Sequence, residues 1–351
     1  MSIESYLHAA PKAELHVHLE GAIRPATLLT LAARNGVALP ADNVEDLRRW
    51  FTYRDFPHFA EIYVTITRCL KTADDYELIA YEYGAELARQ NARYAEVTFT
   101  PATHALRFGV THNTYFGGLT RGRERAHRDF GVELNWIFDL VHIAGDEGLH
   151  RAAATYTTSV AIEGKSDGVV ALGLAGIEIG RSFENVAPYF EKARAAGLRS
   201  APHAGETKGP ESVWGAIRAL GAERIGHGVR AVEDPALVAY LAERGIPLDV
   251  CPTSNVRIGV YPDMAAHPLP ALRAAGVALT VNSDDPPLFN TTLNDEVALL
   301  HRPFNLDVSS IDDILLNGVR HSFLPPHRKQ ELEAQFKEEM ARLKTIHLAG
   351  L

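Results

Sequence analysis

Two histidines separated by one residue, His16 and His18, are the first side chains whose type and spacing could support chemistry. Side chains at positions i and i+2 of a β-strand point to the same face, so both imidazoles could bind one metal ion. The pair by itself is weak evidence, because a histidine in an apolar run is also compatible with a hydrogen-bonded core residue.

Further histidines and carboxylates follow apolar runs later in the chain. They are, in chain order, His203, Glu206, His227, Asp284 and Asp285. Each has a structural explanation on its own, as a core histidine, a loop glutamate or a helix-capping aspartate. Their recurrence at the ends of several predicted strands is improbable by chance, and it predicts a functional site.

Three neutral imidazoles and a carboxylate suit zinc and leave room for a water molecule. A zinc ion lowers the pKa of such a water towards ~7 and makes hydroxide available at neutral pH. Glu206 is then a proton donor, and His227 orients or deprotonates the water or stabilises developing negative charge. The predicted ligands are His16, His18, His203 and Asp284.

Two absences narrow the prediction. The run that ends at Leu174-Ala175-Gly176 contains no lysine that could be carboxylated to bridge a second metal, so we expect one zinc ion per chain. The H-x-E…P-C-x-x-C signature is also missing, which excludes the zinc fold of the cytidine deaminase type.

Eight short apolar runs, each followed by a helix-like stretch, would position these residues. The runs are Glu14–Leu19, Arg93–Thr100, Val132–Val141, Val169–Leu174, Leu198–His203, Arg224–His227, Ile246–Cys251 and Val277–Asn282. Such near-continuous hydrophobicity is typical of parallel strands covered on both faces. The alternation predicts an α/β fold, a (β/α)8 TIM barrel with its site at the carboxyl ends of the strands. A doubly wound sheet is the alternative, but no G-x-G-x-x-G follows a strand.

Two segments lie outside this alternation. Residues 41–90 are long enough for several helices and carry aromatic residues at near-helical spacing, among them Phe56 and Phe59. They either pack onto the barrel or form a lid over its mouth. The segment from Pro325 onward predicts a charged amphipathic C-terminal helix that begins at proline. We treat residues 1–351 as a single barrel domain.

Composition excludes several function classes. The 351 residues are 46% hydrophobic and 23% charged, as in an ordinary globular protein. The net charge of −9 argues against a nucleic-acid surface. Two cysteines are too few for a disulfide framework, and we find no signal peptide or membrane-spanning run. We therefore expect a cytoplasmic enzyme with a small-molecule substrate and without nucleic-acid or membrane partners; the oligomeric state is not predicted.

Six motifs occur in an order that resembles a known family. They are PKAELHVHLEGAIRP, LAGIE, HAGE, ERIGHG, VCPTSN and NSDDP. In this order they resemble the adenosine deaminase family of the amidohydrolase superfamily, from about Pro11 to about Asn294. The resemblance implies a zinc-dependent barrel enzyme that hydrolyses the 6-amino group of a purine and releases ammonia.

The resemblance also implies roles for individual residues. The four predicted ligands match the family's zinc ligands. Glu206 matches the acid that protonates purine N1, and His227 matches the histidine beside the attacking hydroxide. Asp285 matches the aspartate that binds N7, and Gly176 matches the backbone donor to N3. The stretch from Phe56 to Phe59 resembles the lid helix. The substrate contacts predicted in this way are His18, Glu20, Gly176 and Asp285.

Two positions depart from the adenosine-specific members. Glu20 replaces their usual aspartate, and Glu178-Ile179-Gly180 resembles the adenine deaminase branch. Strand alternation places Glu20 towards the mouth, where its carboxylate would bind sugar hydroxyls and repel a 5′-phosphate. We therefore expect deamination of adenosine and 2′-deoxyadenosine to inosine and deoxyinosine. The alternatives are a deaminase of adenine, 6-aminodeoxyfutalosine or an N6-substituted adenine compound, and a non-catalytic purine-binding protein.

Overall fold

Eight parallel strands form one sheet in which each strand pairs with the next along the chain. The computed structural model describes residues 2–142, 147–180 and 182–349. The strands are β1 Lys12–His18, β2 Ala92–Phe99, β3 Glu133–His142, β4 Val169–Gly176, β5 Arg199–Ala204, β6 Ile225–His227, β7 Leu248–Val250 and β8 Leu279–Val281. Each overlaps its predicted run, so the predicted α/β barrel is confirmed.

The sheet closes where the segment after β8 meets β1. The backbone N–H of His18 donates to the carbonyl of Asp284 at 2.9 Å, and the N–H of Asp284 donates to the carbonyl of His16 at 3.1 Å. This contact places the residue after Ser283 directly beside the end of β1. Closure of the barrel and assembly of the site therefore use the same backbone hydrogen bonds.

Helices lie between the strands and after the last one. They are α1 Ile3–Ala9, α2 Pro25–Asn35, α3 Val44–Trp50, α4 Phe56–Thr67, α5 Ala73–Arg89, α6 His112–Phe130, α7 Glu147–Glu163, α8 Phe183–Ala195, α9 Pro210–Leu220, α10 Pro235–Arg244, α11 Pro252–Arg257, α12 Leu269–Ala274, α13 Pro286–Phe289, α14 Leu293–His301, α15 Val308–Arg320 and α16 Pro326–His347. Proline begins several of them because its fixed φ suits the first helical turn. No helix among the described residues is long and apolar enough to cross a membrane.

The long connection between β1 and β2 contains helices α2 to α5, as its length predicts. Tyr76, Ile79 and Tyr83 of α5 are buried against the barrel. Helix α4 has a different place, because Phe56 and Phe59 line a cavity at the mouth of the barrel. Helix α5 therefore packs onto the barrel, and α4 lines the cavity at its mouth; whether α4 acts as a lid stays a prediction.

Candidate functional site

The predicted histidines and Asp284 meet inside the mouth of the barrel. His16 and His18 end β1, His203 lies in β5, and His227 ends β6. The imidazole centroid of His16 lies 4.5 Å from that of His203 and 4.6 Å from that of His227. The structure thus brings four histidines from three strands into one buried cluster.

The nitrogen and oxygen atoms of this cluster could hold a metal ion. His18 Nε2 lies 3.2 Å from His203 Nε2, and Asp284 Oδ1 lies 3.5 Å from His16 Nε2 and 3.4 Å from His18 Nε2. His16 Nε2 is buried and has no hydrogen bond to any described residue. A buried nitrogen without a hydrogen bond, among two other imidazoles and a carboxylate, fits a zinc site.

The charge states of these groups also fit a metal site. Burial lowers the pKa of His18 and, together with the neighbouring imidazoles, lowers the pKa of His203 well below its usual value. Burial alone would raise the pKa of Asp284, but the surrounding imidazoles hold it well below its usual range. Neutral imidazoles and an ionised carboxylate are the forms that bind metal ions.

Two glycines make room for these side chains. A Cβ at Gly226 would lie 2.8 Å from His16 Cε1 and 3.2 Å from His203 Cγ, so a larger residue would push the rings apart. A Cβ at Gly21 would lie 1.6 Å from Asp285 Oδ1. The site therefore depends on glycine at both positions.

Backbone strain is concentrated at two of the predicted residues. His227 has φ +58° and Asp284 has φ +63°, in the left-handed region that non-glycine residues rarely adopt. Each such residue costs on the order of 1–3 kcal/mol and persists only where the surrounding structure holds it. The strained residues lie at the end of β6 and in the segment after β8, where the chain turns both side chains towards the cluster.

A buried hydrogen-bond chain determines which nitrogen of His227 carries the proton. The backbone N–H of Leu269 donates to His267 Nδ1 at 3.2 Å, His267 Nε2 lies 3.1 Å from Asn255 Oδ1, and Asn255 Nδ2 lies 3.1 Å from His227 Nδ1. Burial lowers the pKa of His267 to about 4 and that of His227 to about 3. Both rings are therefore neutral near pH 7.

The donor and acceptor in each of these hydrogen bonds follow from the first donor, the backbone N–H of Leu269. Because Leu269 donates to Nδ1 of His267, the proton of that ring is on Nε2 and is donated to the Asn255 oxygen. The Asn255 amide then donates to His227 Nδ1, so the His227 proton is on Nε2. That nitrogen lies 3.3 Å from Glu206 Oε1 and 3.8 Å from Asp284 Oδ2.

The loop that carries Glu206 is bound by a second buried acid. Glu178 accepts hydrogen bonds from the backbone N–H groups of Gly205 at 3.0 Å and Thr207 at 3.2 Å, and from the hydroxyl of Ser212 at 2.7 Å. From the sequence, Glu178 is known only as part of the stretch that resembles the adenine deaminase branch. In the structure its carboxylate lies against the backbone of the Glu206 loop.

The cluster lies at the buried end of a cavity of about 810 Å³, a volume that includes its open mouth. Asp285 and Gly176, both predicted substrate contacts, line it, and Asp285 Oδ1 is buried without a hydrogen bond to any described residue. Burial and the charge of Asp284 raise the pKa of Asp285 well above its usual value. Phe59 of α4 stacks on Phe289 with ring centroids 5.5 Å apart.

Several cavity residues were not predicted from the sequence. They are Ala60, Val64, Thr100, Thr103, Val141, Ala175, Ser254, Ile258 and Phe289. Most are apolar or hydroxyl side chains, which occur throughout any sequence, so their types give no signal. Asn255 was visible only as part of the VCPTSN motif, and nothing in the sequence indicated its contact with His227.

The predicted orientation of Glu20 is corrected by the structure. Glu20 does not line the cavity, and it is fully buried. Its carboxylate accepts hydrogen bonds from the backbone N–H of Thr100 at 3.1 Å and the hydroxyl of Tyr63 at 3.0 Å, and it lies 3.0 Å from His104 Nε2. Strand alternation failed here because β1 ends at His18. The carboxylate therefore neither faces a sugar nor opposes a phosphate at the mouth.

Comparisons with known proteins agree on the family. The family model named adenosine deaminase matches residues 11–339. The chain is 42% identical to an aminodeoxyfutalosine deaminase of Streptomyces avermitilis, over 95% of this chain and 92% of that protein. It is 36% identical to an adenine deaminase of Rhodospirillum rubrum, over 94% of this chain and 97% of that protein.

A solved structure gives the same result. The fold matches an amidohydrolase from Burkholderia ambifaria with bound Zn at a TM-score of 0.88 and 27% identity, over 99% of this chain and 94% of that one. The two sequence relatives are named as deaminases of aminodeoxyfutalosine and of adenine, and neither is named for adenosine. Members of the family are hydrolases that act on C–N bonds in cyclic amidines. With a family match over nearly all of its length, this chain belongs to the adenosine deaminase family.

Proposed function

We propose that the protein is a zinc-dependent deaminase that hydrolyses the 6-amino group of 6-aminodeoxyfutalosine and releases ammonia. The observation that carries the chemistry is the position of His227 Nε2, between Glu206 Oε1 and Asp284 Oδ2 at the buried end of the cavity. The 42% identity with an aminodeoxyfutalosine deaminase over nearly the whole chain supports the substrate.

In this proposal one zinc ion per chain is held by three histidines and one acid. When bound, zinc supplies a hydroxide nucleophile near neutral pH by lowering the pKa of water. The buried His16 Nε2 without a hydrogen bond is the observation that fits this assignment. The proposed ligands are His16, His18, His203 and Asp284.

The remaining groups bind the purine and move protons. Glu206 donates a proton to N1 as the nucleophile's oxygen forms its bond to C6. The resulting Glu206 carboxylate then takes the proton from that oxygen and passes it to the exocyclic nitrogen, whose bond to C6 breaks, so that ammonia leaves and the 6-oxo product keeps the proton on N1. His227 presents an N–H at Nε2, so it orients the nucleophile and stabilises negative charge rather than removing a proton. Asp285 binds N7 and the backbone N–H of Gly176 binds N3, which holds the ring in place.

Water exclusion is the proposed role of α4. Phe56 and Phe59 line the cavity from its outer side, and Phe59 stacks on Phe289. An apolar lid over a buried cluster strengthens the electrostatic interactions inside it. We therefore propose that α4 is the lid over the purine.

Adenine is the second candidate, because a 36% identical relative is an adenine deaminase and because Glu20 offers no oxygen to a sugar. The same observations give adenosine no specific support.

A panel of 6-aminopurines tests the proposal. Ultraviolet absorbance follows the conversion of each amino compound to its 6-oxo product, and released ammonia is the control. We expect kcat/KM for 6-aminodeoxyfutalosine to exceed the values for adenine, adenosine and 2′-deoxyadenosine. A higher kcat/KM for adenine would replace the proposed substrate with the second candidate, and the absence of ammonia from every compound would refute the deaminase.

A further inference from the structure

A second depression, here called the arginine groove, adjoins the cavity and has a volume of about 910 Å³ with its open side included. Ala60 and Val64 of α4 line both spaces. Gly176 lines the cavity, and the next residue, Ile177, lines the groove. Because neighbouring residues of two elements line both spaces, the groove continues outward from the mouth of the cavity.

A third element makes the same connection. Thr103 lines the cavity and Arg107 lines the groove, at the two ends of the π-helical segment Thr103–Arg107. A group that leaves the cavity between Thr103 and Ile177 therefore enters the arginine groove.

Two guanidinium groups belong to this groove. Arg68 follows α4 directly, and Arg107 ends the segment Thr103–Arg107 after β2; both are exposed and line the groove. Neither forms an ion pair with an acid in the parts of the chain that the structure describes. By contrast, four arginines of the β1–β2 connection do so: Arg24 with Glu82, Arg34 with Asp75, Arg49 with Glu45 and Asp46, and Arg89 with Glu86.

The rest of the groove is largely apolar. Phe108, Val64 and Ile177 form its walls, and Glu61 is the acid among its lining residues. Two arginines and one glutamate leave a net positive charge there. Apolar walls with two cationic side chains among them suit an anion carried on an apolar chain or ring.

We propose that the arginine groove binds an anionic group at the outer end of the substrate, a carboxylate or a phosphate carried on the sugar of the 6-aminopurine. The inference rests on the proposed function, because it places the purine ring at the buried cluster and its substituent towards the mouth. Glu20 does not oppose such an anion, since its carboxylate is buried among Thr100, Tyr63 and His104. Discrimination against neutral nucleosides then comes from Arg68 and Arg107.

Binding of 6-oxo compounds tests the groove without requiring catalysis. The ligands are inosine, a 5′-substituted inosine that ends in a carboxylate, its neutral methyl ester, and inosine 5′-monophosphate. Their dissociation constants are measured by calorimetry on the zinc-loaded protein and on Arg68→Gln, Arg107→Gln and the double variant. Arg48→Gln is the matched control, because Arg48 is exposed on α3 and lines neither space.

We expect each groove variant to raise the dissociation constant of the carboxylate ligand, relative to that of its ester, by roughly tenfold. This is the size of effect that the loss of a hydrogen bond to a charged group usually has. The Arg48→Gln variant should leave the ratio of the two constants unchanged. A loss for the carboxylate alone identifies it as the natural anion, and a loss for the phosphate alone identifies phosphate. Equal affinity of carboxylate and ester in the unchanged protein, or an unaltered ratio in the double variant, would overturn the proposal.

The same set of proteins separates this proposal from the proposed function. The unchanged protein could deaminate 6-aminodeoxyfutalosine while the arginine variants keep the same ratio of carboxylate to ester dissociation constants. The proposed substrate is then correct and the groove assignment is wrong. If the arginines control the binding ratio while 6-aminodeoxyfutalosine is not deaminated, the proposed substrate is wrong and the groove belongs to another anionic 6-aminopurine nucleoside.

Discussion

Glu178 Oε1 accepts the backbone N–H of Glu206 at 2.9 Å, so one buried carboxylate holds another in position through its main chain. Together with the N–H groups of Gly205 and Thr207, this makes three backbone donors on a single side chain. A carboxylate that accepts hydrogen bonds from three successive backbone N–H groups fixes the backbone position of that loop. The orientation of the Glu206 side chain therefore depends on Glu178, a residue that does not line the cavity.

We predict that Glu178→Gln lowers kcat by roughly 10-fold or more and changes KM much less, because each hydrogen bond to a charged group is worth ~1.5–3 kcal/mol. The amide nitrogen of glutamine would face backbone N–H groups that need an acceptor. Steady-state kinetics give the two constants, and bound zinc, measured on the same samples, should be unchanged.

Ser212→Ala is the matched control for this prediction. It removes only the hydroxyl donor to Glu178 and leaves the three backbone N–H groups bound. We expect a kcat close to that of the unchanged protein. Equal losses in Ser212→Ala and Glu178→Gln would show that the carboxylate has a general structural role and does not position Glu206.

Glu206→Gln should retain the fold and the metal but lose roughly 10²–10⁴-fold in kcat, the usual contribution of a general acid or base. Glutamine has nearly the same shape as glutamate but cannot donate a carboxylic proton to N1. Kinetics, zinc content and circular dichroism on one preparation separate these effects. A variant within a few-fold of the unchanged enzyme would assign Glu206 a structural role.

Metal removal should inactivate and destabilise the protein together. A ligand that binds only the folded state at 100 times its dissociation constant stabilises that state by ~2.7 kcal/mol. We expect elemental analysis to find one zinc per chain, and chelation to lower the thermal midpoint until zinc is restored. Asp284→Ala should contain little metal and show no such response; two metals per active chain would contradict the proposed site.

Asn255→Asp should impair catalysis more than Asn255→Leu. An aspartate accepts the proton of His227 at Nδ1, which leaves Nε2 without the N–H that faces Glu206 and Asp284. Leucine only removes the hydrogen bond and leaves both tautomers accessible. Nitrogen chemical shifts of His227 report the tautomer directly, and they should show Nε2–H in the unchanged protein and Nδ1–H in Asn255→Asp.

His267→Leu provides the control for this relay. Adding His267→Leu to Asn255→Leu should lower activity little further, because His267 acts on His227 only through Asn255. A double-mutant cycle measures this coupling. Additive losses from the two substitutions would mean that His267 acts independently of the relay.

Glu296 should make the stability of the fold depend on pH. It is fully buried, accepts the backbone N–H of Thr253 at 3.1 Å, and burial raises its pKa to about 7 from 4.5. The folded state therefore holds a proton that the unfolded state has released between these two values. Its contribution to the unfolding free energy is complete below pH ~4.5 and is lost as the pH rises through ~7.

Glu296→Gln isolates this contribution. Glutamine does not titrate, so the difference in unfolding free energy between the two proteins should change with a slope of at most ~1.4 kcal/mol per pH unit in that window. Urea unfolding at several pH values measures it. A difference that is constant across the window would show that the Glu296 pKa is not raised.

The positions of the metal-binding candidates followed closely from the sequence. His16 and His18 alternate along one strand, and His203 and His227 end apolar runs that parallel-sheet geometry brings to one mouth. The two-residue period of a strand and the order of the elements predict these positions, because the carboxyl ends of all barrel strands lie at one edge of the sheet. Helix bounds were equally local, because α9 and α10 each begin at a proline and end before a glycine.

Contacts between distant segments could not be predicted in this way. Glu20 binds groups 80 and 84 residues away, and Glu178 binds groups 27 to 34 residues away. The hydrogen-bond partners of a buried carboxylate depend on how the loops pack in three dimensions. The same local sequence is compatible with a carboxylate that faces the cavity and with one that is hydrogen-bonded inside the protein.

The sequence by itself thus determined the barrel, the family and the set of histidines and acids at its mouth, because these depend on residue type, spacing and chain order. Only the tertiary structure decided the proton position on His227, the task of Glu178, the burial of Glu20 and the arginine groove beside the cavity. Each of these is set by side chains from separate elements that meet only after the barrel has closed, so no local pattern records it.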